Sequence, residues 1–284
     1  MTPHGRRRGF LVSVMAAALA LAGCGPFGSS HSNATPARYL LVLGDSLSTG
    51  YQPGSTGDRL CRNGAADATG RGGWACLLLG RLRASGGGPY DIANLAVNGE
   101  DTCGYLTGRT CGGRPIGDAT PQQQEASAFL RSHAGRVAAI TLDIGADDAG
   151  VLARDEAQGP TAQGYADLNT AFARATRNYR RILQRLRDAA PGVPILALGY
   201  YVPNLPASIP PTFLPLADGL IQSLAIRFNR GIVAAASAAH ASYVDLYHPF
   251  LGKRGSLLVP GDIHPDDRGQ QLIARLVWKA YHTH

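Results

Sequence analysis

Nothing in the sequence is spaced to hold a metal ion: the five cysteines include no Cys-x-x-Cys pair, and no second ligand cluster accompanies the histidines. His248, His282 and His284 read as surface histidines, and no metal or cofactor is expected. No internal repeat occurs, and no shift in composition splits the folded part into two domains. Signals for nucleic-acid binding are missing as well. Arg174, Arg177, Arg180, Arg181, Arg185 and Arg187 recur at helical spacing beside Ile182, Leu183 and Leu186, without aromatic interleaving, so they read as the solvated face of an amphipathic helix. The apolar stretch from Phe10 to Ala22 is too short to span a bilayer as a stable helix.

That stretch follows Arg6-Arg7-Arg8 and ends in small residues, the pattern of an export signal. Its end, Leu21-Ala22-Gly23-Cys24, resembles the lipobox of bacterial lipoproteins, which implies Cys24 as the lipidated first residue of the mature chain. An ordinary signal peptide cut nearby is the alternative. Arg7-Arg8-Gly9-Phe10-Leu11 resembles a twin-arginine motif, a pattern that any basic signal start also produces, so both export routes stay open. The expected organisation is a signal peptide over 1–23, an anchor cysteine with a Gly-, Ser- and Pro-rich tether over 24–38, and one catalytic domain over 39–284. The expected address is the outer side of the cell membrane, held by the lipid anchor, or the medium; a monomer is expected. Removing residues 1–23 takes away three arginines and no acids, lowering the formal charge from +7 to +4, which is mild.

Four cysteines remain, Cys61, Cys76, Cys103 and Cys111, an even number in a chain read as exported, where disulfides persist. Of the three connectivities, Cys61 with Cys76 and Cys103 with Cys111 close the shortest loops and are favoured, while crossing pairings stay open.

Short apolar runs at Tyr39 to Leu43, Ile92 to Ala96, Val137 to Ile144, Val193 to Leu198 and Ala241 to Leu246 predict five strands. Helical patterns at Gly73 to Ala84, Pro121 to Arg131, Ala162 to Ala189, Ala217 to Ala239 and Asp267 to Tyr281 alternate with them. Apolar strands covered on both faces predict an α/β fold, a three-layer α/β/α sandwich around a parallel sheet. Function in such sheets gathers in loops at the carboxyl ends of strands. Gly44-Asp45-Ser46-Leu47 follows the first strand, Asn98-Gly99 the second and Gly145-Ala146-Asp147-Asp148 the third, while Asp262-Ile263-His264-Pro265 enters the last helix. A serine hydroxyl becomes a nucleophile only when an imidazole takes its proton, and a carboxylate on the far ring nitrogen orients that imidazole. Residues at i and i+2 of an extended segment project to one side, so Asp262 and His264 are suited to the task. Singly, each segment is ordinary turn or helix-cap chemistry.

Together, the ordered segments from Tyr39 to Tyr281 resemble the GDSL branch of the SGNH hydrolases. The resemblance implies a flavodoxin-like five-stranded fold, Ser46 as nucleophile, His264 as base and then acid, and Asp262 as its orienter. This serine is not in the Gly-x-Ser-x-Gly elbow of ordinary α/β-hydrolases. The resemblance further implies backbone N–H groups of Ser46 and Gly99 as oxyanion donors, and a structural, hydrogen-bonding part for Asp45. At Asp147 the chain departs from the family, which has an asparagine whose amide donates a third hydrogen bond. An ionised Asp147 accepts but cannot donate; a neutral one, protonated by burial beside Asp148, can; and one turned toward a backbone group at the strand end does neither. The expected activity is ester hydrolysis by two-step acyl transfer, on a small-molecule or lipid ester. Rival readings are an envelope carbohydrate deacetylase or acyltransferase, and a weakly active or non-catalytic binding protein. The segments Gln52 to Gly73 and Glu100 to Pro121, each with two cysteines, are expected to be bridged and to wall the acyl pocket.

Overall fold

Along Leu40-Leu41-Val42-Leu43 successive side chains point to opposite faces of a sheet, and all four are fully buried because each face is covered by helices. The computed structural model describes residues 36–53, 73–117, 120–149, 162–205 and 209–283. The expected signal peptide, Cys24, Cys61, His284 and nearly all of the tether lie outside the described residues.

Five strands form the sheet: β1 (Arg38–Gly44), β2 (Tyr90–Asn94), β3 (Val137–Asp143), β4 (Ile195–Leu198) and β5 (Ser242–Val244). Their spatial order is β2-β1-β3-β4-β5 and every pair is parallel, as expected for a flavodoxin-like sandwich. Leu40 and Val42 face α2 (Trp74–Ala84) and α9 (Asp267–His282), sharing a core with Trp74, Leu78, Leu82, Ile273 and Val277. Leu41 and Leu43 face the other way, into a core with α4 (Gln122–Ser132), α5 (Ala162–Ala189) and α6 (Leu214–Ala238), where Tyr179, Ile182, Phe228 and Ile232 are buried. Among the described residues no helix is long and apolar enough to cross a membrane.

Short helices absent from the sequence-based expectation are α1 (Ser46–Thr49), α3 (Thr102–Thr107), α7 (Tyr247–Phe250) and α8 (Arg254–Leu257). Helix α6 starts at Leu214 rather than Ala217, because a 3-10 turn over Pro211–Phe213 leads into it and Pro215 fits the first turn of a helix. Two arginines of α5 are not part of a solvated face. Arg187 donates to the carbonyls of Ala239, Val193 and His240, tying α5 to the end of α6, and Arg174 turns inward to Asp148.

The sheet order reverses beside β1, and the strand end there depends on a glycine. Gly44 stands opposite Asp143 with φ of 135°, and a Cβ at this position would lie 1.9 Å from the Asp143 carbonyl oxygen. Its N–H and C=O are both held by the Gln122 side-chain amide, at 2.7 and 3.0 Å. Gly44→Ala therefore meets rigid backbone in a conformation that L-residues avoid. It is expected to lower unfolding free energy by on the order of 4 kcal/mol, read as a shift in denaturant midpoint; a change below about 0.5 kcal/mol would show that the strand end re-forms without cost.

Candidate active site

Ser46 opens α1 immediately after β1, and the turn that presents it is held from several sides. Asp45 caps the helix through Oδ1, which accepts from the Leu47 N–H at 3.0 Å, while its Oδ2 accepts from the Tyr200 hydroxyl at 2.8 Å. The Asp45 N–H donates to the Asp143 carbonyl at 3.0 Å, the Trp74 indole N–H donates to the Leu47 carbonyl at 2.9 Å, and the Asn94 amide donates to the Ser48 carbonyl at 3.0 Å. Asp45 thus acts on the loop geometry, as the family resemblance implied.

Residues 218 positions apart meet at this turn. His264 Nε2 lies 2.8 Å from Ser46 Oγ, and its Nδ1 lies 2.6 Å from Asp262 Oδ1. When Nδ1–H donates to Asp262, Nε2 is left free to accept the serine proton. The same Asp262 oxygen also accepts from the His264 backbone N–H at 2.8 Å, so the pair is pinned within its own loop. That loop is closed by Val259 N–H donating to the His264 carbonyl at 2.9 Å and by a bridge between Leu258 and Pro265. Three positioning residues escaped sequence reasoning. Asn204 donates its amide to the Asp262 and Val259 carbonyls at 2.9 and 3.2 Å, Tyr201 donates to the Ile263 carbonyl at 2.8 Å, and the Tyr51 ring meets the His264 ring edge-on at 4.7 Å between centroids. None carries a local motif, since each acts across a fold-dependent contact.

Gly99 follows β2 in the turn with Asn98 and has φ of 71°. A Cβ there would meet no atom within 4 Å, so the left-handed backbone, rather than crowding by the protein, is what favours glycine. The turn is anchored by Val97 N–H donating to the Gly44 carbonyl at 3.0 Å and by the Thr49 hydroxyl donating to Asn98 Oδ1 at 2.5 Å. Ser46, Gly99, Asp147 and His264 border one cavity.

Neighbouring Asp147 and Asp148 have different surroundings. Asp148 accepts from the N–H and hydroxyl of Thr102 at 2.8 and 2.9 Å and faces Arg174 at 3.8 Å; burial still raises its carboxyl to about 6. Asp147 borders the cavity, and no hydrogen bond ties it to a backbone group of the strand end among the described residues. Burial, followed by the charges of Asp45, Asp101 and Asp148, holds its carboxyl well above the usual carboxylate range. Of the three states open in the sequence, the surroundings favour the neutral acid. Other acids behave alike: burial raises Asp45 to about 6 and Glu100, beside the Gln122 amide, to about 8, and it pushes the fully buried Asp143 well upward.

The cavity has a volume of about 660 Å³ and runs from Ser46 between α5, α6 and the segment after β4. The expectation that bridged loops wall it fails for the segment from Glu100 to Pro121, none of whose described residues lines the cavity. Cys103 and Cys111 are joined by a disulfide as expected, but that loop packs beside Asn178 and Asp148, where Asp101 accepts from the Cys111 N–H at 2.7 Å. Cys76 is also disulfide-bonded, and its expected partner Cys61 lies outside the described residues, as do residues 54–72 of the other segment. Asp101, Cys103 and Cys111 alone cluster with metal-ligand spacing among the described residues, and their two sulfurs are spent on each other. His248 is exposed and pairs with Asp245 at 2.6 Å.

Residues 42–272 match the model of the GDSL-like lipase/acylhydrolase family. No curated protein matches the chain by sequence. Several solved structures share its fold. A lipase from a goat rumen metagenome aligns over 86% of this chain and 97% of its own at 16% identity and a TM-score of 0.60. Phospholipase A1 from Streptomyces albidoflavus aligns over 86% and 98% at 19% identity and a TM-score of 0.58. A catalytic mutant of an acetylxylan esterase from Geobacillus stearothermophilus aligns over 86% and 94% at 13% identity and a TM-score of 0.55. At such identities the likeness speaks for the fold alone.

Proposed function

The chain belongs to the GDSL-like lipase/acylhydrolase family, and from that premise we propose that it hydrolyses carboxylic esters through an acyl-serine intermediate on Ser46. The observation that carries this reading is the unbroken relay from Ser46 Oγ through the His264 ring to Asp262, at 2.8 and 2.6 Å. In the first step Ser46 Oγ attacks the ester carbonyl while His264 Nε2 takes its proton, and Asp262 holds the resulting imidazolium. The tetrahedral oxyanion lies toward the N–H groups of Ser46 and Gly99 and the neutral carboxyl O–H of Asp147. His264 then passes its proton to the departing alcohol. In the second step it takes a proton from water, whose oxygen attacks the acyl carbon, and Ser46 regains its proton as the acid leaves. Protein groups perform every proton transfer in this scheme.

Labelling with a fluorophosphonate tests the reading, because such a probe phosphonylates only a serine whose proton a neighbouring base removes. The expected result is one equivalent of probe on the peptide containing Ser46, with parallel loss of p-nitrophenyl acetate turnover and labelling at least about 100-fold slower in His264→Gln. Stoichiometric modification elsewhere, or hydrolysis that survives full labelling of Ser46, would overturn the proposal.

A further inference from the structure

Away from the reacting end, the cavity wall is hydrocarbon. Ile221, Leu224, Ala225 and Phe228 follow one another at i, i+3, i+4 and i+7 along α6, and Leu168 and Phe172 face them from α5. Among the described residues no lysine or arginine lines the cavity, and its carboxylates and histidine, Asp45, Asp147 and His264, all belong to the site already described. Of the polar side chains that line it, the Asn204 amide N–H groups donate to two carbonyls, Asn98 is bonded to Thr49, and the Tyr200 and Tyr201 hydroxyls donate to Asp45 and to the Ile263 carbonyl. A sugar placed along this wall would leave its hydroxyls without partners, whereas an alkyl chain gives up nothing on leaving water.

The wall is firm where it meets the site. Phe228 is 2% exposed, stacks on Tyr200 at 5.7 Å, meets Tyr179 edge-on, and leaves no room for a Cβ on Gly145, which would lie 2.5 Å from its ring. Between the bulky side chains of the stripe, Ala225 is the small residue that keeps the space open. A volume of about 660 Å³ far exceeds what an acetyl group fills.

We propose that the wall between α5 and α6 receives an unbranched acyl chain of about eight carbons or more, which makes the substrate a medium- or long-chain acyl ester, with Ala225 setting the length accepted. This rests on the ester-hydrolase reading for its chemistry, and on the shape and lining of the cavity for its substrate.

Kinetics with p-nitrophenyl esters of two to twelve carbons, on the parent and on Ala225→Phe and Ala225→Leu, test it. Full burial of each added methylene raises kcat/KM by up to about fourfold, so partial burial over six methylenes predicts an octanoate-to-acetate ratio on the order of 100 in the parent. Ala225→Phe is expected to lower that ratio by at least about tenfold and Ala225→Leu by less, the milder change serving if the larger one does not fold. A profile that is flat or falls with chain length, or a ratio unmoved in a folded Ala225 variant, would overturn the proposal. Calorimetry with the Ser46→Ala protein supplies a readout independent of turnover: decanoic acid is expected to bind and butyric acid is not, with binding weakened at least about tenfold by adding Ala225→Phe. If acetate is hydrolysed through Ser46 but chain length gains nothing in either assay, the acyl wall fails and the hydrolase stands. If no ester is cleaved while decanoic acid still binds in an Ala225-dependent way, the hydrolase fails and the wall stands.

Discussion

Ser46→Ala is expected to lower kcat for a short-chain ester by about 10⁴- to 10⁶-fold with little change in KM. The alanine removes only Oγ, while the turn that carries it is held by the Asp45 cap, the Trp74 indole and the Asn94 amide, none of which bonds to the serine side chain. The fold and the acyl wall should therefore persist, and the loss should fall on the chemical step. His264→Ala should cost about as much, because without the imidazole at 2.8 Å the hydroxyl keeps its proton at neutral pH. Combining the two should cost little more than either alone, since a nucleophile and its base act as one unit and residual catalysis then comes from the oxyanion donors and binding. Steady-state kinetics on the two single variants and the double variant, with circular dichroism to verify folding, decide the matter. A Ser46→Ala protein within about tenfold of the parent would sink the proposed nucleophile, and additive losses would mean that the two residues do not share a step.

Much of this arrangement was legible because it repeats rules with long range in sequence. Five apolar runs separated by helical patterns specify a parallel sheet, and the loops after its strands then converge on one edge, which is how Ser46, Gly99 and Asp147 came to be grouped with His264. Four-residue helices such as Ser46–Thr49 complete barely one turn, so they leave no periodicity to detect. The residues that fix the site from afar were also invisible. Tyr200 reaches Asp45 across 155 positions, and Tyr201 and Asn204 reach the His264 loop across more than 50, contacts that exist only once β4 lies beside β3. The described residues from Glu100 to Pro121 lie away from the cavity for a related reason. The loop with Cys103 and Cys111 does follow a site-bearing strand, but α3 directs it toward Asn178 and Asp148, while the cavity itself is bounded by faces of α5 and α6 that the sequence presents as ordinary core stripes.

Asp147→Asn is expected to convert a rate that falls at alkaline pH into one that does not. Asp147 borders the same cavity as Ser46 and Gly99, in the proposed mechanism the oxyanion faces it, and only its neutral carboxyl has a proton to donate there. Burial raises its carboxyl and so do the facing charges of Asp45, Asp101 and Asp148, while Arg174 spends its charge on Asp148. Asp45 and Asp148 themselves ionise at about 6, so as pH climbs past that value they make removal of the Asp147 proton harder still. The neutral donor therefore persists above the range in which an ordinary aspartate ionises, and it is lost as pH rises through the raised value, leaving an anion beside the developing oxyanion. The parent should lose kcat along that alkaline limb. An asparagine amide donates at every pH, so Asp147→Asn should match the parent within a few-fold where the acid is neutral and exceed it by about 10²- to 10³-fold where the acid is fully ionised. Any acid limb should be common to both proteins. Glu100, raised to about 8, is a second group able to ionise in this region, and only the Asp147 variant separates the two, because an alkaline limb owned by Glu100 survives the substitution unchanged. Full pH profiles of kcat for the parent and the variant give the answer. A variant slower at every pH, or one that keeps the alkaline limb, would mean that the carboxylate serves as an acceptor or stands apart from the oxyanion, and that Ser46 and Gly99 provide the hole without it.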